Sequence, residues 1–261
     1  MQKGISFYFG FEIDPEIRTK MIKDAGFDCV ITNADKRFKD TNGSIRKQVR
    51  LFKKYGLKLS SLHMSYISQD LHYFWENGKM GDTLTKDLIK DVKIAKKYGF
   101  TCVVVHLFGE YSEIGKKRLL KVLKVCKKYN IPLAIENINC PQLFKKVFKE
   151  IDNEYLQFCY DSGHNNAFDK DFDYLSVYGD KLKALHLHDN MGDNDSHIIS
   201  KYGNIDWDKI AKKLANKDII LDYEMILNCS NDLTPETCLL ETKKMADDLE
   251  KLIQKYENDK N

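Results

Sequence analysis

Histidines and acids crowd one stretch of this 261-residue chain. His186, His188 and His197 fall with Asp189 and Asp195 inside fourteen residues, Ala184 to His197. Imidazole is the commonest metal ligand in proteins, and carboxylates are its usual companions. Leu182, Leu185 and Leu187 mark Leu182 to His188 as a buried strand, and the Asn, Asp, Gly and Ser of 189–203 mark a loop. A strand therefore ends in His and Asp, and the loop after it carries Asp-x-His. A solvated strand end is the simpler account of one such terminus. The same pattern recurs at five other strand ends, which argues for a shared purpose.

Those ends follow from a strand–helix alternation along the chain. The strands are expected at Gly4–Phe9, Phe27–Thr32, Leu57–His63, Phe100–Leu107, Ile131–Glu136, Tyr155–Asp161, Leu182–His188 and Ile219–Glu224. The helices between them are expected at Asp14–Asp24, Ser44–Tyr55, Asp82–Tyr98, Glu113–Tyr129, Pro141–Glu150, Asp171–Tyr178 and Asp206–Ala215, and Pro235–Tyr256 closes the chain. Asp14-Pro15 is a helix start, and Gly26, Gly56, Gly99 and Gly179 sit where left-handed helix ends are expected. Eight such units in about 260 residues fit an α/β fold, a single (β/α)8 TIM barrel over residues 1–261. A doubly wound sheet would offer a Gly-rich phosphate loop after the first strand, and Phe9-Gly10-Phe11-Glu12 is not one. Met64 to Gly81 is the longest irregular piece and suits a lid or substrate loop.

In such a barrel the C-terminal strand ends share one face, where the site is built. His63, His106, Glu136, Asp161 with His164, His186 with Asp195 and His197, and Glu224 all fall there. These nine exceed the needs of one ion, so one to three divalent cations (Zn, Mn or Mg) are expected. Beside them, His164, His188, Asn137 and Trp75 are candidate substrate contacts. Trp75 lies in the long loop with Tyr73 and Phe74.

Composition narrows the partners. Net charge is +3, with 42 Lys and Arg against 39 Asp and Glu, and only five of the cations are Arg. Clustered cations of the kind that grip duplex DNA are not apparent. No apolar run reaches the roughly 18 residues a membrane helix needs. The seven scattered Cys lack a Cys-x-x-Cys pair. Together with a start that runs straight into a strand, this points to a reducing, cytoplasmic setting.

The chain resembles the xylose-isomerase-like TIM barrels, which include sugar-phosphate isomerase/epimerases, ketose 3-epimerases and endonuclease IV enzymes. The resemblance rests on Ile135-Glu136-Asn137, Tyr160-Asp161-Ser162-Gly163-His164, Leu185 to Asn190, and Asp195-Ser196-His197 through Gly203-Asn204-Ile205-Asp206-Trp207. The epimerase pattern implies one cation on Glu136, Asp161, His186 and Glu224. Glu136 and Glu224 would then be the acid/base pair, moving a proton beside a carbonyl that the metal polarises, and His164 would contact a sugar oxygen. Two family features are missing: Gln142 stands where a substrate Glu is expected, and 189–197 contains no Arg. The endonuclease IV pattern implies three zinc ions: His63, His106 and Glu136; Glu136, Asp161, His186 and Glu224; and His164, Asp195 and His197. Its partner would be duplex DNA cut at abasic sites. The expectation is a metal-dependent isomerase or epimerase of a small sugar or sugar phosphate. The alternatives are the multi-zinc phosphodiesterase and a metal-binding barrel without catalysis.

Overall fold

The computed structural model describes all residues except 36–37, 66–67, 200–201, 227–232 and 259–261. Eight strands alternate with helices: β1 Lys3–Ser6, α1 Pro15–Asp24, β2 Cys29–Asn33, α2 Lys39–Asn42, α3 Ile45–Tyr55, β3 Lys58–His63, α4 Lys79–Tyr98, β4 Cys102–Val105 and α5 Glu113–Tyr129. Then come β5 Leu133–Glu136, α6 Pro141–Glu150, β6 Leu156–Asp161, α7 Ser162–Phe168, α8 Tyr174–Tyr178, β7 Leu182–His186, α9 Trp207–Leu214, β8 Leu221–Tyr223 and α10 Pro235–Asn258. All neighbouring strands run parallel, in the order β7-β6-β5-β4-β3-β2-β1-β8. A parallel bridge between Leu187 and Tyr223 joins the two outer strands and closes the barrel. The expected single TIM barrel is what the chain forms.

The punctuation acts as expected at most helix ends. Asp14 caps α1 through the amides of Glu16 and Ile17, and Gly56 and Gly99 end α3 and α4 in the left-handed conformation. Strand alternation divides the barrel in two. Outward residues such as Ile5, Val30, Leu62, Val103, Leu133 and Leu185 form the main core under the helices. Inward residues Cys102, Val104, Ala134, Cys159 and Ala184 form a second, smaller core on the barrel axis. Because faces alternate with period two, His63, Glu136, Asp161 and His186 stand on the inner face above that small core.

Four expectations differ. Gly179, expected in the left-handed conformation, is right-handed, with φ −58°. A helix, α7, begins directly after Asp161, whose side chain caps it by accepting from the His164 amide at 2.6 Å. The expected helix at Asp171–Tyr178 is confined to Tyr174–Tyr178. The stretch Met64 to Gly81 is not an open lid where it is described. A 3-10 helix spans Ser68–Phe74, and Leu71, Phe74 and Trp75 are buried. The buried Arg118 of α5 donates to the carbonyls of Tyr73, Phe74, Glu76 and Gly78, fixing this segment as a collar. No helix among the described residues is long and apolar enough to cross a membrane.

Candidate metal centre

Six strands bring candidate ligands to one rim. The Oε2 oxygen of Glu136 lies 2.9 Å from His186 Nδ1, 3.2 Å from His106 Nε2 and 3.8 Å from His63 Nε2. Its Oε1 is 3.1 Å from His164 Nδ1. Glu224 Oε2 approaches the same His186 nitrogen at 3.3 Å. The ligand atoms of Glu136, Asp161, His186 and Glu224 all lie within 4.8 Å of one another, as do those of His63, His106 and Glu136.

The residues fit a cation. Both Glu136 oxygens and both His186 ring nitrogens are buried without a hydrogen bond, as are His164 Nδ1 and Asp195 Oδ1. The contacts have hydrogen-bond lengths, yet these atoms make no hydrogen bond, so a cation among them would supply a partner. Each unsatisfied buried group costs about 1–3 kcal/mol, and a shared ion relieves several at once. The second nitrogens of two rings are already placed. His63 Nδ1 lies 3.1 Å from the Met64 carbonyl and His197 Nδ1 2.6 Å from the Glu224 carbonyl. Donation there leaves each Nε2 for the site, the usual arrangement behind a metal-ligating histidine. His63 and His106 meet Nε2 to Nε2 at 3.3 Å. Burial, then the neighbouring His106, holds His63 down at about 4, so His63 faces the centre as a neutral ring.

Elsewhere the acids prevail. Burial opposes charge on His186, but Cys159, Glu224 and Glu136 raise it well above its ordinary range. Burial likewise opposes charge on His197, and the bond to Asp195 and the charge of Glu224 raise it to about 9. Burial would push Glu136 up, yet His186 and His106 hold it well below the usual carboxylate range. The carboxylates that raise these imidazoles are the ones a cation would balance.

The third group departs from expectation in detail. Asp195 Oδ2 is 3.1 Å from His164 Nε2 and 3.2 Å from His197 Nε2, so the expected three do converge. His188 joins them: its ligand atom lies within 4.8 Å of those of Asp195 and His197. The His188 ring stacks on His197, with centroids 3.8 Å apart and planes at 16°. Parallel stacked rings aim their lone pairs side by side, which suits shared coordination poorly. His188 Nε2 instead lies 3.1 Å from Asp161 Oδ1, bracing that carboxylate. Gly163 makes the room, since a Cβ there would fall 1.9 Å from His188 Cε1.

The proposed substrate contacts are spread apart. His164 is in the centre, and His188 is fully buried behind Asp161. Asn137 is buried, with its amide clamped to the Asp161 backbone at 2.9 and 2.8 Å. Trp75 packs in the main core against Phe74 and Tyr111, over Gly115, away from the ligands. Two residues escaped the sequence reading. Cys159 lies within ligand reach of Glu136 and His186, and Asp222 is buried on the axis, bonded by the Ser60 hydroxyl. Each stands two residues before a candidate ligand, Asp161 or Glu224, and so on the same inner face.

Residues 20–252 match the family of xylose isomerase-like TIM barrels. The chain belongs to that family. Among curated relatives, the uncharacterized protein y4fM of Sinorhizobium fredii is 33% identical over 97 residues. That match covers 34% of this chain and 31% of the relative's length. Among solved structures, a D-psicose 3-epimerase from Clostridium cellulolyticum H10, crystallised with D-tagatose, superposes with a TM-score of 0.77 at 15% identity. It covers 97% of this chain and 99% of its own. The IolI protein with a bound zinc atom gives 0.75 at 18% identity, covering 98% and 99%. At these identities the two structures establish a shared fold.

Proposed function

We propose that this barrel is a metal-dependent isomerase or epimerase of a small sugar or sugar phosphate. The observation that carries the reading is the convergence of Glu136, Asp161, His186 and Glu224 on one buried space. These four would hold a divalent cation, with zinc or manganese suiting the mixed nitrogen and oxygen donors. When bound, the cation would polarise an oxygen of the substrate. The proton chemistry falls to the two glutamates. Glu224 borders a groove with Phe7, Tyr8, Asn33, Phe38 and His63, so its carboxylate is the one open to an entering ligand. One glutamate would take a proton from the carbon beside the carbonyl, and the other would return one. Phe7, Tyr8 and Phe38 would keep water from that carbon. His164, between Glu136 and Asp195, would donate to a substrate hydroxyl.

A second reading is supported by the extra ligands. The pair His63–His106 and the acid Asp195 with His164 and His197 are more than a one-ion centre uses. They suit a centre of more than one ion, and the alternative this leaves is a multi-zinc phosphodiesterase acting on duplex DNA at abasic sites. Metal analysis beside two assays separates the readings. About one ion per chain, with solvent hydrogen entering a ketose, supports the isomerase. About three zinc ions with cleavage of an abasic-site duplex supports the hydrolase. Bound metal with neither activity leaves a barrel that binds metal without catalysis.

A further inference from the structure

The motif Gly203-Asn204-Ile205-Asp206-Trp207 takes no part in the chemistry above, and Asp189 at the end of the strand-seven stretch is fully buried. The two meet. Asp189 Oδ1 accepts the amides of Asn190 at 2.8 Å and Ile205 at 3.1 Å, and its Oδ2 accepts the Trp207 indole N–H at 2.7 Å. Gly203 packs directly on this carboxylate: a Cβ there would stand 2.0 Å from Asp189 Oδ1. Asp189 also pairs with Ile198 through two backbone bonds of 2.9 Å, in an antiparallel bridge. The carboxylate thus ties both feet of the segment that carries Asp195 and His197.

That segment holds His197 in a conformation it would not choose. Its φ is +48°, a left-handed value at a residue with a side chain. Such strain persists only where the surroundings over-determine it, and it collects at functional sites. Here the strained backbone aims Nε2 at Asp195 and Nδ1 at the Glu224 carbonyl. We infer that Asp189, Gly203 and Trp207 form a latch that positions Asp195 and His197 against His164. They are positioning residues, since they act on the centre only through that segment. The inference does not depend on which substrate the centre takes.

Ring-nitrogen NMR of the chelator-treated protein at neutral pH tests it without metal or substrate. Trp207→Phe removes the indole donor and keeps an aromatic ring; Gly203→Ala presses on Asp189. Each is expected to move the Nε2 resonances of His164 and His197 toward their positions in Asp195→Asn, while His63 and His106 stay in place. Adding Trp207→Phe to Asp195→Asn should move those two no further. Unmoved His164 and His197 in Trp207→Phe would overturn the inference. So would a common shift of all seven histidines, which would mean a general loosening. Should Gly203→Ala fail to fold, Trp207→Phe decides alone.

Discussion

Glu136 is the candidate ligand that the His63 pair and the Asp161 group have in common, and Glu136→Gln exploits that. The same oxygen, Oε2, faces His186, His106 and His63. Glutamine keeps the shape and can leave a carbonyl oxygen there, so the change removes mainly charge. Two unit charges 4 Å apart attract by about 4 kcal/mol at an effective dielectric of about 20, and tenfold in affinity is about 1.4 kcal/mol. Allowing for the retained oxygen ligand, each ion that uses Glu136 should bind between about tenfold and about a thousandfold more weakly. Glu224→Gln should weaken only the ion it shares with Asp161 and His186, and His63→Ala only the other. Competition against a chromogenic chelator, with metal counted by mass spectrometry and folding checked by circular dichroism, reads all three. If Glu136→Gln weakens no more ions than Glu224→Gln does, the shared-ligand reasoning is wrong.

Under the isomerase reading, Glu224→Gln should slow exchange of solvent deuterium into a ketose by about 10²–10⁴-fold, the usual worth of a general base; unchanged exchange would remove it from the acid/base pair. Asp91 is buried, and burial pushes its carboxyl up to about 6 from 3.8. A raised carboxyl favours the fold below the unfolded value and loses that advantage as pH climbs through 6. Asp91→Asn should therefore gain up to about 3 kcal/mol on wild type between pH 3.5 and pH 8, measured by urea denaturation. Burial and the bond to Asp195 leave His197 at about 9 in the metal-free protein. Its contribution is full below about 6.5 and fades as pH rises through 9, so His197→Ala should cost more at pH 6 than at pH 10. Gly163→Ala drives a methyl into His188, and the overpacking should cost about 1–3 kcal/mol in the same denaturation assay.

The barrel was legible because its signals are local and repeated. Glycine punctuation set most helix ends, and apolar runs of four to six set strands whose ends need only the rim rule to become a candidate site. His63, His106, Glu136, Asp161, His186 and Glu224 were singled out that way, and the fold brings them together. What hid were residues whose place depends on distant partners. Trp75 reads as a loop aromatic until Gly115 and Arg118, some forty positions later in the chain, are seen to draw its segment inward. The helix α7 is only seven residues long and is started by a metal-ligand candidate, so Ser162-Gly163-His164 looks like a turn. His188 alternates with Leu187 just as a substrate contact would, and only the missing side chain at Gly163 turns it toward Asp161.

The joint between β7 and β8 gives the centre a second consequence. Other neighbouring strands share ladders of three or four registered pairs, such as Leu133 to Glu136 along β6. Here the described backbone bonds are Leu187 N–H to the Asp222 carbonyl and Glu224 N–H to the Leu187 carbonyl, 2.8 and 3.0 Å. His186 and Glu224 stand on opposite sides of this thin seam, and a cation gripped by both would rivet the ring where its described pairing is sparsest. Loading the protein with metal should slow hydrogen exchange at the Leu187 and Glu224 amides more than at Ile135 or Val104, making the ion part of the wall as well as of the chemistry.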